Sequence, residues 1–182
     1  MNLKTNKMKT LILLFSLIPI CSLGQIETIE CISIDLLIFE KINAYRMSKD
    51  VDPFEAFEDS LMRAFSYDLT RANSKKEMIE HSEDFLDYAN AECIYSKRIS
   101  HYSDKTIDAI DHEDFEMLAK GAVEGWINSP SHEHCISHPF YHIATITTRI
   151  VIDREKKILY FVASFHALSS VFDTRTGYTY NF

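Results

Sequence analysis

The densest group of side chains able to do chemistry lies between Trp126 and His142. His132-Glu133-His134-Cys135 sets two imidazoles, a carboxylate and a thiol in consecutive positions, and His138 and His142 follow. Neutral imidazole and thiolate are ligands for Zn²⁺ and similar cations. His134 and His138, at i and i+4 of a helix or turn, would share one face as ligands. They read more readily as surface histidines. A site of this kind responds to pH near the imidazole range, about 6 to 7. The cysteines are Cys21, Cys31, Cys93 and Cys135. No nucleophile with a partnered base stands out, so covalent catalysis is not indicated.

These groups need elements to position them. Ile34, Leu37, Ile38, Ile42 and Tyr45 recur at helical spacing, which predicts a helix over 34–47. Asp52-Pro53 ends that region. Phe57, Leu61, Ala64, Phe65 and Leu69 mark a second apolar stripe within 54–72, and Asn73-Ser74 reads as its exit. Residues 75–90 read as a short helix or loop, 93–95 as a short strand and 100–113 as an exposed loop. Phe115, Leu118, Ala119, Ala122, Val123 and Trp126 give a third helix over 114–128. Asp114 sits at its start, where a carboxylate suits the helix dipole. Ser129-Pro130 closes that helix, because the residue before proline avoids the helical region.

Two β segments come next. Over 142–152, Ala144, Ile146, Ile150 and Ile152 alternate with threonines, and 158–165 is apolar on both faces. The charged stretch 153–157 has the length of a hairpin turn. Helices followed by a hairpin imply an α+β fold. The aromatic and polar tail 167–182 either covers a sheet edge or meets a partner.

The chain begins as a secretory signal peptide does. Lys4, Lys7 and Lys9 precede an apolar run from Leu11 to Ile20, and Ser22-Leu23-Gly24 supplies small residues for cleavage. The run is shorter than the roughly 20 apolar residues of a membrane span, so no transmembrane anchor is expected. Cleavage after Gly24 would leave a domain-sized chain from Gln25, secreted or extracytoplasmic, with a lead over 25–33. Cys31, Cys93 and Cys135 would remain, and an odd number leaves at least one free or joined to another chain. The net charge of −8 becomes more negative once the three lysines leave. An acidic surface of this kind disfavours nucleic acid and anionic lipid.

Three motifs in order carry a family resemblance. Asn43-Ala44-Tyr45-Arg46 is followed by Asp50-Val51-Asp52-Pro53-Phe54. His81-Ser82 is followed by Glu92-Cys93-Ile94. Last comes Trp126-Ile127-Asn128-Ser129-Pro130-Ser131-His132-Glu133-His134-Cys135-Ile136, ahead of the apolar hairpin. Over 34–166 this order resembles the bacterial CAP superfamily, the fold of cysteine-rich secretory, antigen 5 and pathogenesis-related proteins (the SCP-like domain). The resemblance implies a three-layer α-β-α sandwich with a central antiparallel sheet.

It also implies a cleft lined by His81, Glu92 and His132, with Ser129 where many relatives carry a second Glu. The resemblance further implies a binding module for a small apolar ligand (lipid or sterol), a protein or a divalent cation such as Zn²⁺. The alternative is a metal-dependent hydrolase or peptidase with Glu92 as general base. Cys93 and Cys135 replace two asparagines of the pattern. Their pairing as a disulfide would favour the fold by roughly 3–4 kcal/mol, and two buried thiols are the other reading.

Overall fold

The computed structural model describes residues 26–30, 32–56, 61–100, 112–173 and 178–181. The expected signal peptide, Cys21, Cys31 and most of the 100–113 loop lie outside them.

The elements run β1 (Ile26–Glu30), α1 (Ile32–Ser48), β2 (Glu55–Ala56), α2 (Leu61–Lys76), a 3₁₀ turn (Phe85–Asp87), β3 (Ala91–Ser100), α3 (His112–Ile127), α4 (Pro130–Ser137), β4 (Ile143–Asp153), β5 (Ile158–Leu168), β6 (Ser170–Asp173) and β7 (Tyr178–Asn181). The main sheet has the order β1-β4-β5-β3, and all three of these pairings are antiparallel. β2 adds a two-residue parallel pairing to the start of β4. β6 and β7 form a separate antiparallel ribbon. The fold is α+β, with helices on both faces of the sheet.

The two faces of the sheet differ in chemistry. One is apolar. Ile34, Ile38 and Ile42 of α1 and Leu118, Ala119, Ala122 and Trp126 of α3 bury against Ala144, Ile146, Ile150, Phe161, Ala163 and Phe165 of the hairpin. α3 lies so close to β3 that a methyl group on Gly125 would stand 2.8 Å from the Tyr95 ring.

The other face carries hydroxyls and receives α2. Ser66 Oγ and Thr70 Oγ1 meet Thr147 Oγ1 at 2.7 and 2.8 Å, and Thr70 Oγ1 donates to Ser164 Oγ at 2.8 Å. The buried stripe of α2 is therefore Met62, Ser66, Thr70 and Asn73, not the more apolar residues that its sequence favours. Leu61 is 74% exposed. The reason is complementarity, since buried hydroxyls on a strand need hydroxyl partners.

Other expectations shift at their edges. α2 runs through Asn73-Ser74 instead of ending there. β3 spans ten residues and not three. Pro130 both follows α3 and opens α4, at a first-turn position where its missing N–H costs nothing. The tail begins within β5 and forms the β6–β7 ribbon.

Arg46, at the end of α1, is fully buried. Its Nε donates to Asp52 O at 2.7 Å, its Nη1 to Ile136 O and His138 O at 2.8 and 3.1 Å, and its Nη2 to Tyr141 O at 2.8 Å. The guanidinium also lies 3.7 Å over the Phe54 ring. Burial lowers its pKa to about 10, partly offset by the charge of Asp52. Asn43 fastens the same segment: its side chain donates to Phe54 O and accepts from Phe54 N, at 3.1 and 2.8 Å.

Two predictions follow from this packing. Arg46→Met leaves four carbonyl oxygens short of a donor and should cost about 3–5 kcal/mol in urea unfolding, and Arg46→Lys should recover only part of it. The second concerns Asp35, which accepts from Thr148 Oγ1 at 2.6 Å. Burial pushes its carboxyl from 3.8 up to about 6, against the Thr148 hydrogen bond and the charge of Arg63. The folded chain thus holds a proton that the unfolded chain has released. That contribution is full below pH 4 and is lost as the pH rises through about 6. The urea midpoint of Asp35→Asn, relative to the parent, should rise across that window and then level off.

Candidate functional site

The site is built around the start of β3, which is an edge strand of the main sheet. Alternation sends successive side chains to opposite faces. Ala91 and Cys93 join the apolar face, whereas Glu92 turns to the α2 face. There Glu92 stands opposite His166 of β5 in the ladder.

Glu92 is held from both sides. His81 Nδ1 lies 2.7 Å from Oε1, and His166 Nε2 lies 2.9 Å from Oε2. The backbone N–H of Ser82 also donates to Oε1, at 3.2 Å. The carboxylate and His166 are buried, whereas the His81 side chain is 56% exposed. Burial pushes the Glu92 carboxyl up, but the hydrogen bonds and charges of His166 and His81 outweigh it and hold the group below its ordinary value. An ionised carboxylate accepts only, so each histidine donates to it. His81 is thereby oriented with Nδ1 donating to Glu92 and Nε2 free of that bond.

His132, on α4, reaches the same edge from the other layer. Its ring centroid stands 6.2 Å from that of His81. Burial, and then the charge of His81, lower its pKa. His132 is thus neutral near pH 7 and accessible at one side. Ser129 lies at the N-cap of α4 and makes no side-chain capping bond; its hydroxyl meets Ser131 Oγ at 3.4 Å.

The fold therefore brings His81, Glu92 and His132 together, as the resemblance implied. The expected cation set does not assemble from them. Among the described residues no three His, Cys, Asp or Glu side chains sit where they could share an ion. Both oxygens of Glu92 already serve histidine N–H groups, and His81 spends Nδ1 on one of them. A metal would have to break that network to gain the carboxylate. The His134–His138 pair is also committed. Their rings meet edge to face at 5.1 Å, His138 stacks on Tyr141, and His138 Nδ1 accepts from Phe140 N at 3.3 Å.

The expected disulfide is not formed either. Cys93 and Cys135 face each other as free thiols. Cys93 Sγ donates to His132 O at 3.8 Å, and the two thiols perturb each other: burial, and then Cys135, raise the pKa of Cys93, and Cys93 lowers that of Cys135.

Sequence reasoning missed His166. A polar residue ending an apolar strand was the available signal. The register that sets it opposite Glu92 has no local signature.

No family model matches the chain, and no curated protein matches it. Among solved structures, a cysteine-rich secretory protein from Staphylococcus aureus is similar at 13% identity with a TM-score of 0.38. The match covers 73% of this chain and 38% of that one, so this chain spans well under half of that protein's length. Among the described residues no helix is long and apolar enough to cross a membrane.

If Glu92 is the joint of this network, Glu92→Gln should cost roughly 1–3 kcal/mol, because one histidine N–H then faces an amide N–H. The carboxylate's contribution is present above its ordinary value of 4.5 and is lost as the pH falls through the lowered folded value. Urea unfolding from pH 7 to pH 3 should accordingly bring the parent and the Gln variant together.

Proposed function

We propose that this chain is an extracytoplasmic binding module of the CAP type, with His81 and His132 as the polar contacts for its ligand and no catalytic step. The observation that supports this reading is the enclosure of Glu92. A general base needs a free lone pair within reach of a proton to abstract. Both Glu92 oxygens face histidines, and the side chain is shut away from solvent. Glu92 acts as a positioning residue that orients the His81 ring. The exposed edge of the site presents His81 Nε2 and a neutral His132. The order of the Asn43/Arg46, His81, Glu92 and Trp126–Ile136 motifs supports the CAP assignment. The ligand is a small apolar molecule with a polar end or an exposed segment of a protein, since an acidic chain of this kind disfavours nucleic acid.

The competing reading is a metal-dependent hydrolase or peptidase with Glu92 as base. It requires Glu92 to leave at least one histidine. Native mass and metal analysis of the purified chain separates the two. Substoichiometric metal, a fold unchanged by chelator and a co-purifying ligand are expected. Binding of that ligand should fall about tenfold in His81→Ala, as expected for one lost hydrogen bond to a ligand. One metal ion per chain together with chelator-sensitive peptide hydrolysis would overturn the proposal.

A further inference from the structure

Cys93 and Cys135 lie on the face of β3 opposite Glu92, and nothing in the proposed binding role uses them. The two thiols are unlike. Cys93 is fully buried in the apolar core, beneath α4. Cys135 sits on α4 itself and is only partly covered. α4 packs directly on β3, the Cys93 Sγ reaches His132 O one turn before Cys135 on α4, at 3.8 Å, and each thiol perturbs the other. Cys135 is thus the more open of the two to solvent, and Cys93 is closed off from it.

We propose that Cys93 and Cys135 form a thiol–disulfide exchange centre, with Cys135 as the sulfur that attacks small-molecule disulfides and Cys93 as the buried sulfur that resolves the adduct. Cys135 as thiolate attacks one sulfur of an external disulfide, R–S–S–R. The Cys135–S–S–R bond forms and RS⁻ leaves with the electron pair of the broken bond. Cys93 then loses its proton to solvent and attacks the Cys135 sulfur. The intramolecular disulfide forms and a second RS⁻ leaves. The two cysteines are oxidised by two electrons, and the external disulfide is reduced to two thiols. Excess RSH reverses both steps.

Two physical asymmetries support this order. An attacking thiol must be exposed and ionised, and a resolving thiol needs only proximity. The neighbouring Cys93 thiol lowers the Cys135 pKa to about 7 against the effect of burial, while burial raises that of Cys93. Forming the bond also takes the Cys93 sulfur away from the His132 carbonyl and ties α4 to the edge strand. The redox state of the pair therefore bears on the segment that carries His132. The centre does not depend on what the His81–His132 edge binds.

The test uses the full chain with Cys21→Ala and Cys31→Ala. It is treated with glutathione disulfide, quenched with N-ethylmaleimide and weighed as the unfolded chain. Oxidation should convert both thiols together, without a retained glutathione, and reduced glutathione should restore both in the native chain. Adding Cys93→Ala should trap one glutathione on Cys135. Adding Cys135→Ala instead should leave Cys93 at least about tenfold slower to react, as a buried and protonated thiol must be. Cys93→Ser serves as a second trap in case the alanine variant unfolds. Equal adduct formation in the two single-cysteine chains would overturn the proposal. So would a glutathione adduct that persists when both cysteines are present, or a disulfide that glutathione cannot reopen without denaturant.

Discussion

A guanidinium buried in a protein core must find acceptors for its N–H groups, and Arg46 finds them on the backbone. The four carbonyls it binds belong to three separate stretches: the turn after α1, the end of α4 and the approach to β4. Losing one acceptor strands a charged donor in the core at a cost of about 1–3 kcal/mol or more, so the three stretches are fixed as a set. Phe54 completes the pocket by offering its ring face to the cation. Since α4 carries His132 and Cys135, the position of both reactive groups derives from a residue at the far end of α1 that touches neither.

The second constraint is the pleat of β3. Glu92 and Cys93 are neighbours in sequence, yet alternation assigns them to different layers. The α2 side receives the His81–Glu92–His166 network. The α4 side receives the thiol pair. His132 bridges the two, because its ring faces His81 around the strand edge while its carbonyl contacts Cys93. An edge strand alone allows this, since a strand paired on both sides has no rim for a loop and a helix to meet across. The outer half of β3 carries Lys97 and Arg98, which blunt the exposed edge against pairing with another chain. The inner half is instead closed over by His81 and α4.

How much of this is legible in the sequence depends on range. α3 and the β4–β5 hairpin read correctly because each writes its period in its own residues: Leu118, Ala122 and Trp126 in one, Ile146, Ile150 and Ile152 in the other. α2 reads one position off. Phe65 and Leu69 outrank Ser66 and Thr70 on any hydrophobic scale, but the threonine face of β4 selects the hydroxyls. β3 reads short because Tyr95–Ser100 has the polar composition of an edge. The motif order locates His81, Glu92 and His132, and the fold does bring them together. It says nothing about how Glu92 is used, because the partner that commits its second oxygen is set by a strand register 74 residues away.

That register also decides where the sheet tolerates imperfection. Across the α2 face, Thr145, His166 and Glu92 stand in one cross-strand row. Nearer the sheet centre, the row of Thr147 and Ser164 is fully paired through Ser66 and Thr70. In the site row, Thr145 Oγ1 and His166 Nδ1 are buried with no hydrogen-bond partner among the described residues. Each such group costs about 1–3 kcal/mol, and an apolar pair would remove that cost. The hydroxyl layer shows that this fold can satisfy buried polar groups where only stability is at stake. It leaves them short beside Glu92 and also, among the described residues, at Arg149 Nε and Tyr160 Oη toward the other end of the same face. His166 serves two ends at once, since its Nε2 holds Glu92 at 2.9 Å, and through it the His81 ring, while its own ring packs edge-on against Phe65.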